Sequence, residues 1–101
     1  MAWKEVASAS DLGEDEMTAF REGDVEIAIY RLEDGFYATT NICTHQYAQL
    51  TEGYIEDGMI ECPLHQALFD IRTGKAQGGL AKVDLSTYPV KVEDGRVLVE
   101  F

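Results

Sequence analysis

The chain has 101 residues, 46% of them hydrophobic, and 19 acidic residues against 8 basic ones give a formal net charge of -11. This composition is typical of one folded domain, residues 1–101, and no apolar run approaches the roughly 18 residues of a membrane span. The acidity disfavours binding to nucleic acids and to anionic membrane surfaces, so we expect neither as a partner.

The predicted elements are short strands joined by one recurring turn. The tripeptide Glu-Asp-Gly occurs at 33–35, 56–58 and 93–95, each time between short apolar or alternating segments. Asp-Gly supplies the positive φ angles that tight hairpin turns require. Each copy therefore predicts a β-hairpin, with Tyr88-Pro89 beginning the last one, and three hairpins predict an antiparallel, all-β domain.

The residues that carry chemistry lie in two short clusters. Cys43-Thr44-His45 and Cys62-Pro63-Leu64-His65 contain every cysteine and every histidine of the chain. The hairpin predicted at 56–58 can bring the two clusters together. The first residues lack the apolar core of a secretion signal, so we expect a cytoplasmic protein. A disulfide between the two cysteines is disfavoured in that compartment, because thiols there are kept reduced.

Two kinds of metal site use two thiols and two imidazoles as ligands. Zinc accepts a closed Cys₂His₂ set, whereas a Rieske [2Fe–2S] centre places two cysteines on one iron and two histidines on the other. Zinc fingers usually pair like with like, but each cluster here is mixed. A Cys-x-His tripeptide is cramped around a single zinc ion, yet it lets one loop reach two irons. The spacing favours the dinuclear cluster and leaves zinc as an alternative.

At this point the chain resembles the Rieske proteins. The shared pattern is Cys-x-His, a gap of sixteen residues, and Cys-x-x-His, and the resemblance extends over nearly the whole chain. Flanking residues also agree with the family pattern: Leu50, Gly53, Phe69-Asp70 and Tyr88-Pro89-Val90. The resemblance implies a Rieske fold, in which an antiparallel β-sandwich or barrel-like base carries a small cluster-binding subdomain of two loops. We expect that subdomain at about 42–67.

The resemblance also implies the role of each ligand. Cys43 and Cys62 would hold the inner iron, and His45 and His65 would hold the outer iron near the protein surface. Histidine ligands raise the reduction potential of Rieske centres to between about −150 and +300 mV. One [2Fe–2S] cluster is therefore the expected cofactor.

Two departures from the family pattern narrow the prediction. The Rieske proteins of respiratory and photosynthetic complexes carry a disulfide between the cluster loops, whereas Tyr47, Ala48 and Leu64 stand here. Together with the absence of Lys and Arg from 32 to 71, this indicates the low-potential branch, the ferredoxins and oxygenases of aromatic-ring hydroxylation.

The second departure is at Gln66-Ala67, where relatives usually place a glycine. Ala67 would be strained if that turn needed a positive φ angle.

The resemblance implies a one-electron carrier rather than an enzyme. No histidines remain for the mononuclear iron of an oxygenase, and no glycine-rich nucleotide motif is present. We expect electrons to pass from an NAD(P)H-dependent flavoprotein reductase to a terminal Rieske oxygenase of aromatic compound catabolism. Both partners would dock on the acidic face near His45 and His65 of a monomer. The alternatives are a nitrite reductase-like redox subunit or sensor, and a zinc-stabilised interaction module.

Overall fold

The computed structural model describes residues 2–44, 48–64, 67–78 and 82–101, and strands dominate these ranges. The strands are β1 (Trp3–Ser8), β2 (Glu16–Glu22), β3 (Val25–Leu32), β4 (Gly35–Thr40), β5 (Tyr54–Glu56), β6 (Met59–Glu61), β7 (Leu68–Asp70), β8 (Ala76–Gly78), β9 (Thr87–Tyr88), β10 (Val90–Glu93) and β11 (Arg96–Glu100). Two single-turn 3-10 helices span Ala9–Asp11 and Leu50–Glu52. Every pairing of these strands is antiparallel, which confirms the predicted class.

The strands of the described ranges form three sheets. Two of them, in the orders β1-β11-β10 and β2-β3-β4-β9, make up the base of the molecule. The third, in the order β5-β6-β7-β8, lies in the chain between β4 and β9 and is therefore inserted into the base. The predicted loop subdomain at about 42–67 contains β5 and β6, and the same sheet continues through β8. No helix in the described ranges has the length and apolarity needed to cross a lipid bilayer.

Strand β3 is buried on both faces and links two apolar cores. Ile27 and Ile29 belong to a core in the base, with β11 residues among its members. The alternating residues Ala28, Tyr30 and Leu32 belong to a second core that contains both cysteines. A one-residue slip of β3 would exchange the two sets of side chains, so its register is strongly specified. This strand carries the inserted part on one face and the base on the other.

All three predicted hairpins form, but the first turn differs from the other two. Asp57 and Asp94 have φ angles of 54° and 51°, and each is followed by a positive-φ glycine, as a two-residue turn centred on Asp-Gly requires. In the first hairpin Leu32 pairs with Gly35, so the turn is centred on 33–34, and Asp34 is not among the residues with positive φ. The prediction of positive φ at Asp34 was wrong, because the two-faced burial of β3 fixes the register there.

The last hairpin begins at Val90, two residues after its predicted start at Tyr88. Tyr88 ends β9, which pairs with β4 in one base sheet. Val90 begins β10, which pairs with β11 in the other base sheet. Pro89 lies between them, at the position where the chain changes sheets. Proline lacks the N–H group that a continuous strand would use, so it suits a point where pairing is interrupted.

Candidate metal centre

The two cysteines begin loops that close in the same way. The Cys43 N–H donates to the Ala48 carbonyl at 2.9 Å, and the Cys62 N–H donates to the Ala67 carbonyl at 2.8 Å. In both loops the acceptor lies five residues after the cysteine. All four of these residues are buried. We name residues 43–48 the first loop and residues 62–67 the second loop. Each loop therefore holds one thiol at a closed, buried base.

The structure brings the two thiols together. Cys43 and Cys62 lie in the same apolar core, close enough for one thiol to influence the other, and no disulfide joins them. Burial raises the pKa of the Cys62 thiol, and the adjacent Cys43 raises it further, whereas a backbone hydrogen bond at Leu64 acts in the opposite direction. A bound cation would favour the thiolate forms. Two adjacent buried thiols are soft ligands that fit iron, as the inner half of a Rieske centre requires.

Side-chain hydrogen bonds at Asn41 and Thr44 hold the first loop in place. Asn41, two residues before Cys43, is 1% exposed. Its side-chain oxygen accepts the Thr51 N–H at 2.9 Å, and its carbonyl accepts the Leu50 N–H at 2.8 Å. Further out, the Thr44 hydroxyl donates to the Val83 carbonyl at 2.6 Å. The first loop is thus fixed to the 3-10 helix that follows it and to a distant segment of the chain.

Strand pairing supports the second loop instead. Strand β6 leads into Cys62 and β7 begins directly after Ala67, and the two strands pair with Ile60 opposite Phe69. Both of these side chains are fully buried. The second loop therefore closes a short hairpin. Leu64, between the predicted ligands Cys62 and His65, is 42% exposed and offers apolar surface on this loop.

Gly53 joins the supports of the two loops. It caps the 3-10 helix at Leu50–Glu52, and the next residue, Tyr54, pairs with Glu61 immediately before Cys62. A Cβ atom on Gly53 would lie 1.9 Å from the Glu61 carbonyl oxygen, which is far inside van der Waals contact. Only glycine permits this approach of the two backbones. The position therefore controls how close the first loop comes to the second.

The two histidines predicted as ligands lie outside the described residues, as do Tyr47 and Gln66. Ala67 is described, and it is not among the residues with positive φ. Its carbonyl accepts the Cys62 N–H, and its side chain is fully buried. The expected backbone strain at Ala67 is therefore absent, because the second loop closes without a positive φ angle at that position.

The surface of the inserted part is acidic. Glu52, Glu56 and Asp57 are exposed, and Glu61 is partly exposed beside the second loop. Lys82 is exposed and directly precedes Val83, whose carbonyl accepts the Thr44 hydroxyl of the first loop. An acidic surface of this kind attracts a basic partner over a range of about 10 Å at 0.1 M salt.

Sequence reasoning missed two residues that shape this site. Asn41 stands in a polar run, Thr39-Thr40-Asn41, where nothing in the sequence distinguishes a buried amide from an exposed one. Val83 is 61% exposed and contacts the first loop through its backbone carbonyl, so its side chain carries no signal of that role. The adjacency of Cys43 and Cys62, by contrast, follows from the hairpin at 56–58.

Comparison with known proteins agrees with this geometry. The family model described as "Rieske [2Fe-2S] domain" matches residues 2–89. The ferredoxin component of the naphthalene 1,2-dioxygenase/salicylate 5-hydroxylase systems of Ralstonia sp is 42% identical over 98 residues, covering 97% of this chain and 94% of the relative. The ferredoxin component of biphenyl 2,3-dioxygenase from Rhodococcus jostii (strain RHA1) is 43% identical over 100 residues, covering 99% and 94%.

A solved structure extends the comparison to three dimensions. It is a complex of reduced oxygenase and oxidised ferredoxin in carbazole 1,9a-dioxygenase. The matched chain is 38% identical to this one, with a TM-score of 0.91 over 96% of this chain and 91% of its own length. The fold and the family pattern of the sequence therefore agree along almost the whole chain.

Proposed function

Since this chain belongs to the Rieske [2Fe–2S] family, we propose that it passes single electrons from an NAD(P)H-dependent flavoprotein reductase to a terminal Rieske oxygenase that hydroxylates aromatic rings. The chain is an electron carrier of the ferredoxin type, like relatives named as components of dioxygenase systems, rather than a catalytic oxygenase. It holds one Rieske-type [2Fe–2S] cluster. A Rieske-type cluster excludes the alternative of a zinc-stabilised interaction module.

We propose Cys43, His45, Cys62 and His65 as the cluster ligands. The observation that carries this proposal is the adjacency of the two buried thiols at the closed bases of two matching loops. Each loop then has one histidine to offer, two residues after Cys43 and three residues after Cys62. When bound, the cluster supplies a one-electron redox couple. The polypeptide keeps the two thiols buried, paired and close to the surface segment at Leu64.

The ligand assignment is tested by replacing each histidine with alanine. His45→Ala and His65→Ala each remove half of the protein ligands of one iron. We expect both proteins to lose the Rieske visible spectrum and the low average g-value of the reduced state, measured by electron paramagnetic resonance. A normal Rieske signal in either variant would contradict the assignment of that histidine. An all-cysteine type of signal in the native protein would contradict histidine ligation altogether.

The acidic face beside the loops is the proposed docking surface. It comprises the exposed acids of the inserted part, Glu52, Glu56 and Asp57, with Glu61 next to Cys62. No Lys or Arg occurs from 32 to 71, and Arg72, which lies beside Gly58, is paired with Asp34, so the acids of this face dominate its charge. Such charge accelerates encounter with a basic surface and is weakened by salt. We propose that both partners use basic residues against this face.

Electron-transfer kinetics test the docking surface. The double variant Glu56→Gln/Glu61→Gln removes two charges from the face, and Glu93→Gln/Glu100→Gln removes two from the base sheet as the matched control. With a reductase from a naphthalene dioxygenase system, the first variant should slow the second-order reduction rate several-fold at low salt, and the control much less. The difference should vanish at high salt. Equal slowing in both variants would assign the effect to net charge alone.

The pathway, the number of domains, the oligomeric state and the cellular location are predicted from the sequence alone. No observation favours a nitrite reductase-like subunit over a dioxygenase ferredoxin, and the relatives reported above are dioxygenase ferredoxins. A single domain is a prediction that one cooperative unfolding transition would check. A monomeric state and a cytoplasmic location are predictions that sedimentation and cell fractionation would check.

A further inference from the structure

Two polar residues are buried in the part of the chain that the structure describes, and both lie just before the first loop. They are Thr39 and Asn41. Thr39 lies opposite Ala28 of β3, which belongs to the core that contains both cysteines. A polar group in such a core is costly unless it forms hydrogen bonds. Asn41 binds the Thr51 N–H, whereas Thr39 has a different set of partners.

The hydroxyl group of Thr39 takes part in two hydrogen bonds. Its oxygen lies 2.8 Å from the Thr40 carbonyl oxygen and 2.8 Å from the phenol oxygen of Tyr30. A carbonyl oxygen can only accept, so the single hydroxyl hydrogen of Thr39 is directed at Thr40. Tyr30 is then the donor of the other bond. The two bonds form an ordered chain that runs from the Tyr30 phenol through Thr39 to the Thr40 carbonyl.

Tyr30 contributes to this chain from strand β3. It pairs with Tyr37 on β4, and its side chain reaches diagonally along the same face to Thr39, which aromatic side chains are long enough to do. Tyr30 is fully buried in the core that contains both cysteines. Burial raises the pKa of Tyr30, which keeps the phenol protonated and able to donate. The diagonal runs toward the end of β4 from which the chain enters the first loop.

The peptide group that joins Thr40 to Asn41 is held on both of its sides. Its carbonyl oxygen accepts the Thr39 hydroxyl, and its N–H donates to the Glu26 carbonyl at 2.9 Å. The preceding N–H, that of Thr40, donates to the Ser86 carbonyl at 2.9 Å. Backbone supplies two of these three bonds, and the Thr39 side chain supplies the third. The plane of this peptide is therefore fixed where β4 ends.

We propose that Thr39 is a positioning residue for the first loop and that Tyr30 orients it. Tyr30 donates to the Thr39 oxygen and so directs the Thr39 hydroxyl hydrogen to the Thr40 carbonyl. This bond sets the orientation of the Thr40–Asn41 peptide, and with it the direction in which the chain continues to Cys43. The inference rests on the proposed function in one respect, since it assigns this support to a loop that holds a cluster ligand.

Three variants separate the hydrogen bonds from the packing of the same side chains. Thr39→Val keeps the branched shape and removes the hydroxyl, so the Thr40 carbonyl loses its donor and the Tyr30 phenol loses its acceptor. Thr39→Ser is the matched control, because it removes a buried methyl group and keeps the hydroxyl. The double variant Thr39→Val/Tyr30→Phe also removes the phenol hydroxyl, but it leaves the Thr40 carbonyl without its donor.

The first measurement is the denaturant concentration at which half of the holoprotein unfolds. This midpoint should fall in both single variants, because Thr39→Val leaves a buried donor unsatisfied and Thr39→Ser leaves a small cavity. It should rise again in the double variant, since removing both partners of a buried hydrogen bond costs less than removing one. A double variant no more stable than Thr39→Val would overturn the role of Tyr30 as the donor.

The second measurement is the rate at which the holoprotein loses its visible spectrum to excess iron chelator. We expect a rate about fivefold above native in Thr39→Val and also in the double variant, because both lack the bond to the Thr40 carbonyl. Thr39→Ser keeps that bond and should stay within about twofold of the native rate. A native rate in Thr39→Val would overturn the proposal. Rates that simply follow the unfolding midpoint would do the same, because Thr39 would then contribute only to stability.

Hydrogen exchange followed by mass spectrometry locates the effect, whichever atoms bind the iron. Peptides that cover residues 41–51 report on the first loop, including the Cys43 N–H that closes it, and peptides that cover 62–68 report on the second. In Thr39→Val, protection should fall in the first loop and stay native in the second. Equal loss in both loops, or native protection in the first, would overturn the positioning role.

The same experiment keeps this inference distinct from the ligand assignment. If the first loop alone loses protection in Thr39→Val while His45→Ala retains a Rieske signal, the positioning role stands and the assignment of His45 fails. If His45→Ala loses the cluster while exchange in Thr39→Val is native, the ligand assignment stands and the positioning role fails.

Discussion

The two cysteine loops reach the same result by different means. Both close with a hydrogen bond from the cysteine N–H to an alanine carbonyl five residues later, at 2.9 and 2.8 Å. The second loop joins two paired strands above the buried side chains of Ile60 and Phe69. The first loop instead follows the end of β4, and side-chain hydrogen bonds at Asn41 and Thr44 tie it to other segments.

The two loops therefore differ in the kind of interaction that holds their backbone in place. Burial of apolar side chains is spread over many contacts and tolerates small changes of similar volume. A buried hydrogen bond depends on one donor and one acceptor, and losing either leaves the other unsatisfied. The second loop should therefore respond to changes in core volume, and the first loop to single polar substitutions that barely change volume.

The largest effect is expected from removing either thiol, which tests whether the loops are equal in ligation. Cys43→Ser and Cys62→Ser keep side-chain size but replace the thiolate that iron–sulfur clusters require. We expect neither protein to assemble a Rieske cluster, as measured by visible absorption and by iron and acid-labile sulfide per chain. Retention of the native spectrum in only one of the two would show that the loops are unequal in ligation and would break the comparison.

The next largest effect is expected where the supports of the loops meet. In Gly53→Ala the new methyl group would overlap the Glu61 carbonyl, which must move to accommodate it. Forcing backbone apart in this way should destabilise the holoprotein by about 3 kcal/mol, measured by denaturant unfolding, and should lower cluster retention.

Gly13→Ala is the matched control for this glycine. Its new methyl group would meet the end of the Glu16 side chain at 3.2 Å, which can move, rather than a fixed backbone atom. We expect a much smaller change in the free energy of unfolding. Equal effects at both glycines would show that backbone flexibility, and not the contact between the loop supports, is what matters at Gly53.

The approach of the two thiols and the hairpins could be predicted from the sequence because both follow from local patterns. Two mixed Cys–His clusters separated by one Asp-Gly turn already imply that the thiols approach each other. The turn centred on Asp57 shows the expected positive φ angle for the same local reason.

Long-range consequences could not be predicted in the same way. The register of β3 depends on two cores formed by distant strands, so the turn at Asp34 departed from the local rule. The change of sheet at Pro89 depends on pairing with β4 and β11, which no local pattern encodes. The burial of Asn41 depends on a hydrogen bond to a residue ten positions later. These are tertiary effects that override local preference.

A smaller effect should appear at the outer tie of the first loop. Thr44→Val keeps the branched shape but removes the hydroxyl that donates to the Val83 carbonyl. Because the bond is exposed, water replaces it in part, and we expect a loss of about 0.5 kcal/mol in unfolding free energy. Chelator should remove iron slightly faster. Thr87→Val, at an exposed position on β9, is the control and should leave both quantities unchanged; the same shift in both would show that any surface threonine behaves alike.

The smallest effect is expected at the tie that joins the sheet of the second loop to the base. Arg72, two residues after β7, donates to both carboxylate oxygens of Asp34 at 3.1 and 2.9 Å. The Arg72 guanidinium lowers the pKa of Asp34 below its ordinary value of 3.8. A lowered carboxyl pKa means that the stabilising contribution is complete above the unfolded pKa and disappears as the pH falls through the folded one.

The Tm difference between the native protein and Asp34→Asn should therefore be constant above pH 5 and shrink as the pH falls below 3.8. Salt should also reduce it, because an exposed ion pair is screened. Glu33→Gln removes the neighbouring charge, for which the described residues show no cation partner, and should show no such pH dependence. A difference that salt leaves intact would contradict an exposed ion pair and would mean that the sheet carrying the second loop, like the first loop, depends on specific polar contacts, so the contrast between the loops would no longer hold.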